Sequence, residues 1–210
     1  MTLLVDVISD VICPWCFIGK RRLEKAIAEY GKPVQVRWHP YQLNPQMPRE
    51  GIRRQEYRQK KFGSLQRSQE LDAQVIAAGK EEGIAFDFDS IETTPNTQDA
   101  HRLIWLAEQE GIQDAVVEGL FRAYFTQGRN ISLQAVILDV VTEAGLDRMK
   151  AESVLNGQQG LDVILQAGEQ ARRLHVTGVP CFIINRRMMV SGAQLPEAFL
   201  DAFQQAGADD

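Results

Sequence analysis

Two cysteines separated by Pro and Trp, Cys13-Pro14-Trp15-Cys16, stand where an apolar stretch gives way to helical spacing. Leu3 to Ile8 is rich in Leu, Val and Ile and reads as a strand. Pro14 to about Tyr30 reads as a helix, with Leu23, Ala26 and Ile27 on one face. A thiol at the first turn of a helix faces unpaired backbone N–H groups and the positive end of the helix dipole. Both favour thiolate, the form that attacks disulfides. The second cysteine, three residues on, can reach the first to close a small ring. Pro14 suits the first helical position, where its missing N–H is no loss.

The same tetrapeptide could be half of a zinc site or a static disulfide. Zinc needs two more ligands, commonly a second closely spaced pair. The remaining candidates, Cys181, His39, His101 and His175, are scattered and unpaired in sequence. A static disulfide across two intervening residues would restrict little chain entropy, because that effect grows with loop length. Redox chemistry is the reading favoured by the motif and its strand–helix setting.

The 210 residues suffice for one large domain or a domain with an insertion. A content of 44% hydrophobic and 24% charged residues is that of a globular protein. The net charge of −5 gives no electrostatic case for nucleic acid or an anionic membrane. No apolar run approaches the roughly 20 residues of a membrane span. The start, Met-Thr-Leu-Leu-Val-Asp, enters the first strand at once and lacks the parts of a signal peptide, so the expected compartment is the cytoplasm. Thiols there are normally reduced, and disulfides tend to be catalytic.

Farther along, Val34 to Trp38 alternates as a second strand, ended by His39-Pro40, and a Pro/Asn-rich loop follows to Pro48. From about Arg53 to Gly157 the apolar residues recur at helical intervals, as in Val117, Leu120, Phe121, Tyr124 and Phe125. Each such stripe is read as core. A further helix from about Leu161 to Leu174 presents Leu161, Ile164 and Leu165. Pro180 then precedes the apolar run Cys181 to Ile184, implying an edge strand or a special position. Asn185-Arg186 suggests a hairpin turn into Met188 to Val190, and Pro196 to about Gln205 a last helix. The order β-α-β, helices, α-β-β-α assigns an α/β fold. One discontinuous domain would cover 1–48 and 158–210, and a helical insertion 49–157.

These residues carry a resemblance. Cys13 to Cys16 after an opening strand, with Gly178-Val179-Pro180 before a late one, is similar to the thioredoxin superfamily, and the all-helical insertion resembles DsbA-like proteins. Finer matches are Ser9-Asp10-Val11-Ile12 before Cys13, Ile18-Gly19-Lys20 after Cys16, Gln42 to Pro45, and Pro95-Asn96-Thr97 with Ala100 to Ile104. Ser191-Gly192-Ala193-Gln194 is another. Together they resemble the FrnE-like branch, dithiol–disulfide oxidoreductases described as polyketide-biosynthesis isomerases. The resemblance implies that Cys13 is the nucleophile and Cys16 the resolving thiol. Pro180 would be cis, with the backbone of Val179 docking an extended substrate beside Pro14 and Trp15. It implies a thiol- or disulfide-containing substrate and no metal or bound cofactor, with glutathione or thioredoxin open as exchange partners. Trp15 replaces the His of the strong oxidants, so weaker oxidising power is expected.

Three residues depart from the family pattern: Cys181 for Thr or Phe, and His175 and Arg186 each for Gly. His tolerates positive φ, but Arg186 suits a two-residue type I′ turn poorly, so a longer or reshaped hairpin loop is expected. Cys181 could shuttle the disulfide, although a small buried hydrophobe is the simpler reading. Asp10 could take the Cys16 proton through water or cap the turn into the helix. Asp6 and Glu24 are weaker candidates, and Lys20, Arg21 and Arg22 read as a solvated face. The expected activity is thiol–disulfide oxidoreduction or isomerisation. A glutathione-dependent transferase or isomerase of the kappa or hydroxychromene-carboxylate isomerase type is the rival enzyme. A redox-sensing client-binding protein is the non-enzymatic one.

Overall fold

The computed structural model describes residues 2–207, and the chain divides into two compact units. One joins the chain up to Leu43 with the chain from Ile164 onward; the other is Asn44–Val163. The chain opens with β1 (Leu3–Ser9), α1 (Pro14–Tyr30) and β2 (Val34–Pro40). Next come β3 (Ile52–Arg53), α2 (Arg54–Phe62), α3 (Leu65–Glu81), β4 (Thr93–Thr94), α4 (Gln98–Gln109), α5 (Gln113–Phe125), α6 (Gln134–Glu143) and α7 (Arg148–Asn156). It closes with α8 (Leu161–Arg173), β5 (Cys181–Ile184), β6 (Met188–Ser191) and α9 (Pro196–Gly207). No helix among the described residues is long and apolar enough to cross a membrane.

In the first unit the strands lie in the order β2-β1-β5-β6. Parallel pairing of β1 with β2, Leu3 opposite Val34 through Ser9 opposite Pro40, follows from α1 crossing between them. β5 runs antiparallel to both β1 and β6. It is therefore an interior strand, not an edge. Pro180 is accommodated because the ladder begins one residue later, at Cys181. β2 also runs on through His39 to Pro40 instead of stopping at Trp38.

Alternation along the strands divides the sheet's faces. Phe182 meets the ring of Phe199 on α9 edge-on, with centroids 4.7 Å apart, and lies against Gly19 of α1. Its neighbours Cys181 and Ile183 turn the other way, into a cluster with Ile8, Ala171 and Val176. One face thus carries the aromatic core of Phe17, Phe182, Phe199 and Phe203, all fully buried. The other is covered by α8 through small residues. There the expected apolar stripe is corrected: Ile164 is buried, but Leu165 is 70% exposed, and Ala171 provides the contact instead.

The β5–β6 connection is one residue longer than a two-residue turn, but Arg186 does take the left-handed conformation that its side chain is expected to disfavour. Ile184 pairs with Met188, leaving Asn185, Arg186 and Arg187 between. Asn185 and Arg186 have φ of 48° and 58°, and the Arg187 N–H donates to Ile184 O at 3.0 Å. Asn185 holds the turn in place. Its side-chain oxygen accepts from Leu4 N at 2.9 Å, and its own N–H donates to Leu4 O at 2.8 Å. His175 takes a left-handed φ of 55° just past α8, and Val176 N–H returns to Ala171 O at 2.9 Å to close the helix end.

The second unit is helical apart from a two-residue ladder, Ile52 opposite Thr94 and Arg53 opposite Thr93. Helical periodicity cannot reveal so short a pairing. Gly51 allows it: at φ 79° a Cβ there would lie 2.6 Å from Thr94 O. Phe86, Phe88, Phe121, Tyr124 and Phe125 make this unit's aromatic cluster. Arg102, nearly buried, donates to the carbonyls of Val154, Gly157 and Gln159 and pairs with Asp99. It thereby ties the end of α7 and the turn that follows it to α4.

Candidate active site

Cys13 is the N-cap of α1, one position before the helix proper, with extended backbone (φ −93°, ψ 111°) and Pro14 at the first helical position. Its side chain does not cap the helix. The sulfur instead donates to the carbonyl oxygen of Val179 at 3.4 Å. The Val179–Pro180 peptide bond is cis. Cysteine pair and proline loop, more than 160 residues apart in the chain, therefore meet at one sulfur. Pro14 is half-buried and Trp15 is 38% exposed, so an indole stands in solvent beside the first thiol.

The second sulfur has different surroundings. Cys16 is completely buried, and its N–H donates to Cys13 O at 3.0 Å. Burial pushes its thiol well above the usual cysteine range, and the adjoining Cys13 sulfur pushes it the same way. Two donors oppose this: the Ser9 hydroxyl and the Asp10 backbone N–H both reach the Cys16 sulfur and favour its thiolate. Ser9 is the residue that reading the sequence missed. The signal lay in the strand's period: Ser9 shares its face with Val5 and Val7, the face α1 covers.

Asp10 is fully buried, and its carboxylate accepts the Leu43 N–H at 2.7 Å, tying the segment after β1 to the one after β2. Its backbone carbonyl accepts the Cys13 N–H at 3.0 Å. Asp6 lies on the other face of the sheet, where it pairs with Arg37 and His39. The expected solvated face on α1 is corrected. Lys20 and Arg22 are buried, Lys20 pairing with Glu24 and Arg22 donating to Ala193 O at 2.7 Å. Their aliphatic stems fill the contact between helix and loop while the charged ends find partners.

The Ser191–Gln194 segment now has a structural account. Gly192 N–H donates to Pro180 O at 2.8 Å, and Gln194 binds back to Gly192 O and Ser191 O. With Arg22 on Ala193 O, the segment braces the proline loop against α1. Gly19 makes the approach possible, since a Cβ there would sit 3.1 Å from Pro180 and 3.0 Å from the Phe182 ring. Cys181 faces the α8 side with Ile8 and Ala171, away from the face that α1 packs on, and burial raises its thiol. It behaves as a small core residue.

Comparison with known proteins bears on the family and the fold. Residues 4–204 match the DSBA-like thioredoxin domain family. The chain is 29% identical over 211 residues to the uncharacterized protein YwbO of Bacillus subtilis (strain 168), covering all of this chain and 98% of that one. It is similar to the crystal structure of the probable DsbA oxidoreductase SCO1869 from Streptomyces coelicolor. That match has a TM-score of 0.93 at 29% identity and covers 99% of this chain and 91% of the other. The structure of 2-hydroxychromene-2-carboxylate isomerase shares the fold, with a TM-score of 0.73 at 17% identity and 99% of both chains covered.

Proposed function

The chain belongs to the DSBA-like thioredoxin domain family, whose members are disulfide oxidoreductases and isomerases, and we propose that it exchanges disulfides through the Cys13–Cys16 dithiol. The observation that carries this reading is the Cys13 sulfur at the helix N-cap, resting on the Val179 carbonyl. Cys13 thiolate attacks one sulfur of a substrate disulfide, and the substrate's other sulfur leaves as a thiolate that takes up a proton. A mixed disulfide with Cys13 results. Cys16 then loses its proton and attacks the Cys13 sulfur, forming the Cys13–Cys16 bond and releasing the second substrate thiolate. Two electrons pass from the protein to the substrate; run backward, the same steps oxidise it.

The order of attack follows from burial. Cys13 keeps a slight exposure of 6% where Cys16 has none, and burial favours the protonated form of the Cys16 thiol. Val179 and Pro180 dock an extended substrate segment, with Pro14 and Trp15 as the apolar border. Asp10 is the proposed acceptor of the Cys16 proton, through water. The FrnE-like motifs and the low cysteine count fit a cytosolic enzyme. The glutathione-dependent rival is weakened by the backbone around Ser191–Gln194, where the Gly192 and Gln194 N–H groups are used internally.

The test is mutagenesis with trapping. Cys13→Ser should abolish reduction of a dithiol-coupled disulfide substrate, and Cys16→Ser should accumulate mixed disulfides at Cys13. Normal turnover by Cys13→Ser would refute the mechanism.

A further inference from the structure

The face of the sheet away from Cys13 holds a hollow of about 540 Å³ between β1, β2, β5 and α8. It exists because α8 presents Ala167 and Ala171 to the strands, where the opposite face is filled by phenylalanines. Its floor is apolar, formed by Ile8, Ile183, Ala171 and Leu174. Its polar wall is made by Asp6, Arg37, His39 and Arg186. Arg37 donates to Asp6 Oδ1 at 2.9 Å, and His39 Nε2 lies 2.8 Å from the same oxygen. One carboxylate thus answers one guanidinium, and the second, on Arg186, has no carboxylate partner among the described residues. The wall is left net positive.

Arg186 is also held there against its backbone preference. Its φ of 58° lies in the left-handed region that glycine adopts freely and arginine does not. Residues kept in such conformations by the surrounding structure point to a use for the side chain. A hollow of this size with an apolar floor and a few placed polar groups has the form of a small-molecule site.

We propose that this hollow binds a small organic acid with an apolar tail, the carboxylate on Arg186 and the tail over Ile8, Ile183 and Leu174. A bare inorganic anion would leave the floor wet, and a neutral apolar molecule would make no use of the exposed Arg186 guanidinium at the rim. The proposal is independent of the dithiol chemistry, which lies on the sheet's other face.

Calorimetric titration of the reduced full-length protein with octanoate, 1-octanol and inorganic phosphate tests it. Octanoate should saturate one site, with octanol and phosphate each at least tenfold weaker. Arg186→Gly should weaken octanoate at least tenfold while raising the melting temperature, which separates loss of a ligand group from loss of fold. Ala167→Phe, which fills the hollow, should abolish binding. Alkylating the Cys13 thiol should leave octanoate binding unchanged. The proposal is overturned if octanoate does not saturate or if phosphate or octanol binds as tightly. It is equally overturned if both variants bind like the wild type, or if alkylation removes binding.

Discussion

Three positions separate Cys13 from Cys16, yet only Cys16 has its sulfur fully enclosed and reached by two donors. The Ser9 hydroxyl is the side-chain donor among them, and a hydrogen bond to a charged group contributes about 1.5–3 kcal/mol. Ser9→Ala should therefore raise the Cys16 thiol further and slow resolution of the mixed disulfide by roughly tenfold or more at neutral pH. The rate should recover as pH rises. Rapid-quench measurement of mixed-disulfide decay against pH checks this, and an unmoved pH profile would remove Ser9 from the mechanism. Asp10→Asn provides the matching test of proton transfer: the same profile should shift if the carboxylate accepts the Cys16 proton. The cysteine pair was legible in the sequence because its spacing alone carries chemical meaning. Ser9 was not, because a lone serine gains a role only from the sulfur placed above it.

At the scale of elements, α1 sits on β5 through a contact too close for a side chain. Phe182 cannot yield to a new group at Gly19, being buried and held edge-on by Phe199. Gly19→Val should cost about 2 kcal/mol by overpacking and displace the Pro180 loop, seen as a lower denaturation midpoint with a loss of exchange activity larger than stability explains. Arg102 offers the opposite case, a buried charge that four partners satisfy. Arg102→Met should destabilise the protein by about 3 kcal/mol, with hydrogen exchange accelerating first in α7. At the β5–β6 turn, Arg186→Gly should add about 1 kcal/mol of stability by relieving a left-handed arginine. The elements themselves were readable from apolar spacing. Their deviations were not. Leu165 occupies a helical position that spacing assigns to the core, but the sheet face opposite is met by Ala171, and Leu165 is left in water.

For the molecule as a whole, burial raises the thiols of Cys16 and Cys181 in the folded state. Each therefore contributes stability that is fully present below the ordinary thiol range. That contribution is lost as pH rises through the folded value, because the unfolded chain ionises first. Stability should fall with increasing pH above about 9, and the fall should be shallower in Cys16→Ala and Cys181→Ala than in the wild type. Denaturant midpoints from pH 7 upward measure this; identical slopes in all three proteins would show that neither thiol is held neutral by the fold. Reading the chain alone was enough to find the strand–cysteine–helix junction and the β-α-β and α-β-β-α halves. Those features are local, resting on residues a turn or a pleat apart. Tertiary structure decided which sulfur meets Val179, that Lys20 and Arg22 are buried, that Cys181 turns from the α1 face, and that Asp6, Arg37, His39 and Arg186 share one hollow. Each of these depends on strands and helices distant in sequence being brought into register, and no local pattern encodes what a side chain will find across a sheet.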